Sequence, residues 1–111
     1  MKGRMTMPKT HHAVFLKIKP DCGDAEIHAL FTALAALKEK IPGIVEFSGG
    51  PNSSPENLTK GFTHGFAMVF ESEAARDAYL PHPDHLAVVG MILPMLDGDM
   101  DGVTVLDWNV D

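Results

Sequence analysis

The stretch from Phe62 to Glu71 most constrains the fold, because it predicts a strand that is apolar on both faces. One face carries Phe62, His64, Phe66, Met68 and Phe70, and the other carries Gly65, Ala67 and Val69. Successive side chains of a strand point to opposite sides of a sheet. Both sides of this sheet must therefore be covered, since a large exposed apolar surface is unusual in a soluble domain.

The remaining chain predicts short elements in a regular order. Alternation predicts a first strand over 11–19, with His12, Val14, Leu16 and Ile18 on one face. Apolar residues at helical spacing predict a helix that is capped by Asp24 and ended by Pro42-Gly43. A short strand over 43–49 and a polar loop over 50–60 follow. Further predictions are a helix over 73–80 capped by Ser72, a helix over 85–95 capped by Asp84, and a strand over 103–110.

This order predicts an α+β fold, a ferredoxin-like sandwich in which a four-stranded antiparallel sheet has helices on one face only. The face without helices would then pack against a second copy, which predicts a homodimer. At 111 residues the chain is the length of one domain. We expect that domain to span 10–111, after a disordered leader over 1–9.

Charge and composition exclude several classes of protein. The formal charge is −6 and the basic residues form no dense block, so no nucleic acid partner is expected. No apolar run is long enough to cross a bilayer, so no membrane partner is expected either. The single cysteine, Cys22, cannot form an internal disulfide. These features predict a cytoplasmic protein.

The segment Tyr79-Leu80-Pro81-His82-Pro83-Asp84-His85 is the strongest functional candidate. It places a phenol and two imidazoles on a backbone that two prolines stiffen. Preorganised Tyr and His side chains can exchange protons near neutral pH. The alternative is a proline-rich connector whose histidines are solvated or cap the next helix.

Motifs spread along the chain resemble the stress-responsive dimeric α/β barrel (Dabb) family. They are His12, Ile41-Pro42-Gly43, Gly61-Phe62-Thr63-His64, Phe70-Glu71-Ser72, Tyr79 to His85, and Asp107. The resemblance covers residues 11 to 110. It implies a homodimer, and in a branch that resembles olivetolic acid cyclase it implies aldol closure of linear polyketides.

By that resemblance the candidate catalytic residues are His85, Tyr79, His64 and His12. His85 would act as the base and Tyr79 as a hydrogen-bond donor on a small hydrophobic carbonyl compound, with no metal or cofactor required. Two alternatives stay open: a non-enzymatic, stress-related oligomeric structural protein, as other members of the family imply, or a cofactor-independent oxygenase, as another dimeric α/β barrel family implies. Whether the chain is an enzyme stays open on sequence alone.

Strand topology gives the candidates an expected arrangement. His12 should lie on the order of 15 Å from His64. A helix returning along the third strand should bring Tyr79 to His85 towards His64. We also expect apolar neighbours of His64 to form the walls of a pocket between sheet and helices, with a filled core as the alternative. These neighbours are Phe62, Phe66 and Met68, with Ile27, Phe31 and Leu34 from the first helix.

Metal sites are weaker candidates. The acidic segment 97–102 fits the first half of a calcium-binding loop, but Trp108 stands at the twelfth position, where a bidentate Glu belongs. An acidic, solvated turn is the better interpretation. The family resemblance also allows a magnesium ion on main-chain carbonyls around Leu37 to Gly43, which would leave no residue signature.

Overall fold

The computed structural model describes residues 7–111 and consists of a four-stranded sheet with three α-helices. In chain order the elements are β1 (Lys9–Leu16), α1 (Asp24–Lys40), β2 (Ile44–Pro51), β3 (His64–Phe70), α2 (Glu73–Tyr79), α3 (Pro83–Ile92) and β4 (Val103–Val110). Two short 3₁₀ turns, Leu93–Met95 and Asp99–Gly102, join α3 to β4. The predicted strand over 103–110 is confirmed at both ends.

The strands lie in the order β2-β3-β1-β4, and every neighbouring pair is antiparallel. This is the predicted ferredoxin-like α+β arrangement. In the register between β1 and β3, His12 lies opposite Met68 and Leu16 lies opposite His64. Four residues of strand therefore separate His12 from His64, or about 13 Å, in agreement with the expected spacing.

Local capping chemistry sets the ends of the helices, and two of the three predicted caps differ. Ser72 caps α2 as expected, its hydroxyl accepting from the Ala75 amide. Gly23 rather than Asp24 is the cap of α1. His82 rather than Asp84 caps α3, because Pro83 takes the first helical position, where its missing N–H costs nothing.

The helices cover one face of the sheet, where the core lies. His12, Val14 and Leu16 of β1 point into it and are buried, as their alternation predicted. On the other face, no helix of the described chain covers Phe15, Leu106 and Trp108, which are 41%, 60% and 49% exposed. We call this second surface the bare face. It is apolar although it faces solvent in a single copy.

Two further predictions concern the start of the chain and membrane crossing. The predicted leader lies largely outside the described residues, and Lys9, its last residue, belongs to β1. Within residues 7–111, no helix combines the length and the apolar character that a membrane crossing requires.

Candidate acid–base site

Tyr79 is the centre of a cluster of aromatic and titratable side chains on the helix side of the sheet. Its ring lies 4.9 Å from that of Phe70, 4.1 Å from that of His85 and 6.0 Å from that of His12, measured between centroids. We call His12, Tyr79, His85 and Asp107 the Tyr79 cluster. Strands β1 and β4, helix α2 and the start of α3 each supply one member.

The Tyr79 side chain is fully buried, and its hydroxyl has no hydrogen-bond partner among the described residues. Burial raises the pKa of this hydroxyl well above its ordinary value. The group is therefore protonated at neutral pH and has a proton to donate. A buried hydroxyl without a partner is uncommon and calls for an explanation, such as a ligand atom that it meets during function.

The ring nitrogens of His85 have different roles. Nδ1 lies 2.9 Å from the Leu80 carbonyl oxygen, which can only accept, so Nδ1 carries the proton. The other nitrogen, Nε2, keeps a lone pair that can take a proton. Burial lowers the pKa of His85, and the nearby His12 and His82 lower it further, against the opposing effect of the Leu80 carbonyl. His85 is therefore a neutral base at neutral pH.

His12 is held by an acidic partner on the neighbouring strand. Its Nδ1 lies 2.8 Å from Oδ1 of Asp107, and the carboxylate can only accept, so Nδ1 donates. The second oxygen of Asp107 accepts from Nη1 of Arg76 at 2.7 Å. His12 is buried, whereas the Asp107 and Arg76 side chains are about one-fifth exposed, at 21% and 20%.

His64 does not join this cluster, so the prediction that Tyr79 to His85 lie towards His64 is wrong. Helix α2 has seven residues and is about 10 Å long, whereas the seven residues of β3 span about 23 Å. The helix therefore ends while still beside Phe70, at the far end of β3 from His64. Of the two strand histidines, His12 is the one that meets Tyr79.

His64 instead packs beside Phe31, with ring centroids 5.8 Å apart. Its Nδ1 lies 2.8 Å from Oγ1 of Thr63, a hydroxyl that also receives the Ile18 amide and can donate to the Leu16 carbonyl. Burial lowers the pKa of His64. Its predicted catalytic role remains a prediction, but it is separated from the other three candidates.

The pocket predicted between sheet and helices is filled. Phe66, Met68 and Leu34 are buried members of the core, with Phe31 and Ile27 packed against them. A cavity of about 500 Å³ lies elsewhere, beneath the β2–β3 loop. His64 lines it, but Tyr79 and His85 do not; the other lining residues include Phe15, Leu58 and Phe62.

Metal binding gains no side-chain support from the described residues. Within residues 7–111, no three His, Cys, Asp or Glu side chains converge as a metal site would require. The acidic segment 97–102 is a turn that includes the 3₁₀ turn Asp99–Gly102. The main-chain magnesium site around residues 37–43 stays a hypothesis.

Sequence reasoning missed the contribution of Arg76. Asp107 was among the motifs of the resemblance, but no spacing connects it to Arg76, 31 residues earlier. The signal was indirect: Arg76 lies one turn before Tyr79 on the same helix, and Asp107 pairs with His12 across two antiparallel strands.

The sequence and the fold match a known class of small α/β proteins. The sequence matches the family described as "Stress responsive A/B Barrel Domain" (Dabb) over residues 10–110. The chain belongs to this family, as the sequence motifs predicted.

Three similar proteins are known by name or by structure. The stress-response A/B barrel domain-containing protein HS1 of Arabidopsis thaliana is 32% identical over 97 residues, which are 87% of this chain and 85% of that protein. Olivetolic acid cyclase of Cannabis sativa is 28% identical over 75 residues, or 68% of this chain and 74% of that enzyme. A dimeric ferredoxin-like protein of unknown function from Jannaschia sp. CCS1 has a TM-score of 0.83 at 31% identity, covering 92% of this chain and 99% of that one.

Proposed function

We propose that the chain acts as a homodimer in which the bare faces of two copies pack together. Leu106, Trp108 and Phe15 give this face large apolar side chains that are roughly half exposed in one copy. Fully burying an exposed side chain of this kind is worth about 1.5–3 kcal/mol, so covering the half that is still exposed here is worth about 1 kcal/mol each. The structural relative from Jannaschia is itself described as dimeric, which supports a dimer here.

A charged substitution on the bare face tests this assembly. We expect Leu106→Glu to convert the dimer to monomers in sedimentation equilibrium, because it would bury an unpaired carboxylate. Leu86→Glu is the matched control: Leu86 is 54% exposed, but it lies on α3, away from the bare face. A wild-type protein that is monomeric at high concentration, or a Leu106→Glu variant that stays dimeric, would contradict the proposal.

For the site, we propose acid–base chemistry on a small hydrophobic carbonyl compound within the Tyr79 cluster. The observation that carries this proposal is the buried Tyr79 hydroxyl, which has no partner within residues 7–111 and belongs to a ring that lies near two imidazoles. His85 removes a proton next to the carbonyl through Nε2, and the Tyr79 hydroxyl donates a hydrogen bond to the enolate oxygen that develops. The relative named olivetolic acid cyclase supports the carbonyl class.

The burial of Tyr79 sets a condition on this chemistry. Because the Tyr79 ring is fully covered, substrate binding must displace neighbouring side chains. His85 is one of these neighbours, and it is partly exposed to solvent. The new hydrogen bond to Tyr79 offsets part of the free energy that this displacement costs, since the hydroxyl has no partner on the described part of the chain before binding.

Hydrogen–deuterium exchange at carbon tests the first chemical step without knowledge of the natural substrate. We would follow the loss of the α-proton NMR signals of 4-phenyl-2-butanone in D₂O. The wild-type protein should accelerate exchange over buffer, and His85→Ala and Tyr79→Phe should each lose that acceleration. His28→Ala is the control, because His28 is exposed on α1 and outside the cluster.

The alternatives give different results in the same experiments. A purely structural protein would show no exchange above buffer, and its His85→Ala variant would differ from wild type in stability alone. A cofactor-independent oxygenase would instead consume oxygen with a quinol substrate. Equal exchange rates for wild type and His85→Ala would contradict the proposed site.

A further inference from the structure

Two parallel chains of polar contacts connect α2 with β4 and β1. In the first, Arg76 of α2 contacts Asp107 of β4, which contacts His12 of β1. In the second, the Asn109 amide nitrogen donates to Glu73 at 2.8 Å, and the Asn109 amide oxygen accepts from Thr10 at 2.8 Å. Only the first chain ends at a member of the Tyr79 cluster.

The first chain fixes both oxygens of one carboxylate. Oδ2 of Asp107 receives Arg76 and Oδ1 receives His12, so the carboxylate cannot rotate without breaking a charge-assisted hydrogen bond. Arg76 is itself held by Asp77, whose Oδ1 accepts from Nε at 2.8 Å. These carboxylates raise the pKa of Arg76, so the guanidinium is always a donor and never an acceptor.

We infer that Arg76 is a positioning residue, which acts through Asp107 to keep the His12 proton on Nδ1. The Nε2 lone pair of His12 then stays available to the other members of the Tyr79 cluster. Which of the two imidazole nitrogens carries the proton depends on the hydrogen bonds that the ring makes with its neighbours. The consequence for catalysis rests on the proposed function; the effect on the His12 tautomer does not.

An Asp107→Asn variant makes the role of Arg76 measurable. Arg76 can only donate, so it holds the oxygen of the new amide and turns the NH₂ group towards His12. Nδ1 of His12 must then accept, which moves its proton to Nε2. Replacing Arg76 as well, in Asp107→Asn with Arg76→Met, frees the amide to rotate, present its oxygen to His12 and restore the Nδ1 proton.

Long-range ¹H–¹⁵N NMR of the histidine rings at pH 8 reads the tautomer of His12 directly. We expect the Nδ1–H form in wild type, the Nε2–H form in Asp107→Asn, and recovery of the Nδ1–H form in the double variant with Arg76→Met. The matched control combines Asp107→Asn with Glu73→Gln, which weakens the neighbouring contact between α2 and β4 and should leave the Nε2–H form in place.

The exchange assay adds a functional measurement. Asp107→Asn should lower the α-proton exchange rate at least about tenfold, because it replaces the Nε2 lone pair of His12, beside Tyr79 and the base His85, with an N–H group. The double variant with Arg76→Met should recover part of that loss, and the one with Glu73→Gln should not.

Each failure has its own meaning. An unchanged His12 tautomer in Asp107→Asn, or no recovery on adding Arg76→Met, would overturn the positioning role. If Asp107→Asn does not fold, the single variant Arg76→Met replaces it, because a carboxylate released from Arg76 can turn away from His12. A mixture of His12 tautomers in Arg76→Met that Arg76→Lys returns to Nδ1–H supports the role, and an unchanged spectrum overturns it. Absence of exchange in wild type would reject the proposed function and leave the tautomer result intact.

Discussion

The substitution Tyr79→Phe should stabilise the protein while it removes activity. It deletes one oxygen atom and keeps the ring, so the contacts with Phe70 and His85 remain. The deleted hydroxyl is buried and has no partner within the described chain. Leaving such a group unsatisfied costs about 1–3 kcal/mol, so we expect the free energy of unfolding to rise by about 1–2 kcal/mol.

Thermal and urea unfolding at one fixed protomer concentration measure this change, since dimerisation would make the midpoint depend on concentration. For a domain of this length, 1 kcal/mol corresponds to a shift in Tm of about 4–6 °C. A Tyr79→Phe variant that is less stable than wild type by 1 kcal/mol or more would refute the reasoning, because the hydroxyl would then have a partner in the folded protein.

Two further predictions concern stability. The pKa values of His64 and His85 are lowered on folding, so at mildly acidic pH the unfolded chain binds more protons than the folded one. The free energy of unfolding should therefore fall as the pH drops below about 6.5. Urea unfolding measured between pH 7.5 and 5 should show a smaller fall when both histidines are replaced by Gln. Gly49→Ala should cost about 1–3 kcal/mol in urea unfolding, because the added Cβ would lie 2.7 Å from Cβ of Phe66 and 2.9 Å from the Phe31 ring. Gly90→Ala, whose Cβ meets open space on α3, should cost nothing, and equal losses would contradict this account.

The sequence was sufficient for the fold because each strand and helix carries its own local signal. Alternation along β1 places His12 on the core face, and the apolar positions of β3 require cover on both sides. The ends of the helices were harder to predict, since several residues near each end can serve as caps. Pro83 decided the start of α3, and its effect on the choice between His82 and Asp84 is visible in the structure.

The arrangement of the site could be predicted only in part. Tyr79 and His85 are close in sequence and fall together, but the partner that they meet depends on the length of α2. Because the helix stops after seven residues, Tyr79 lies beside Phe70 and His12 instead of near His64. The predicted helix over 73–80 was only one residue longer than α2, so the error lay in the distance that such a helix covers, about 10 Å, and not in its length.

The same edge strand serves the site and the bare face. In β4, Asp107 points to the helix side and contacts His12, while the next residue, Trp108, points to the bare face and stacks on His11 with ring centroids 5.7 Å apart. An edge strand pairs on one side only, so packing by a second copy would restrict the movement of β4. Dimer formation would then hold Asp107 in place as well as covering Trp108. This coupling follows from strand geometry, because adjacent residues of a strand must face opposite ways.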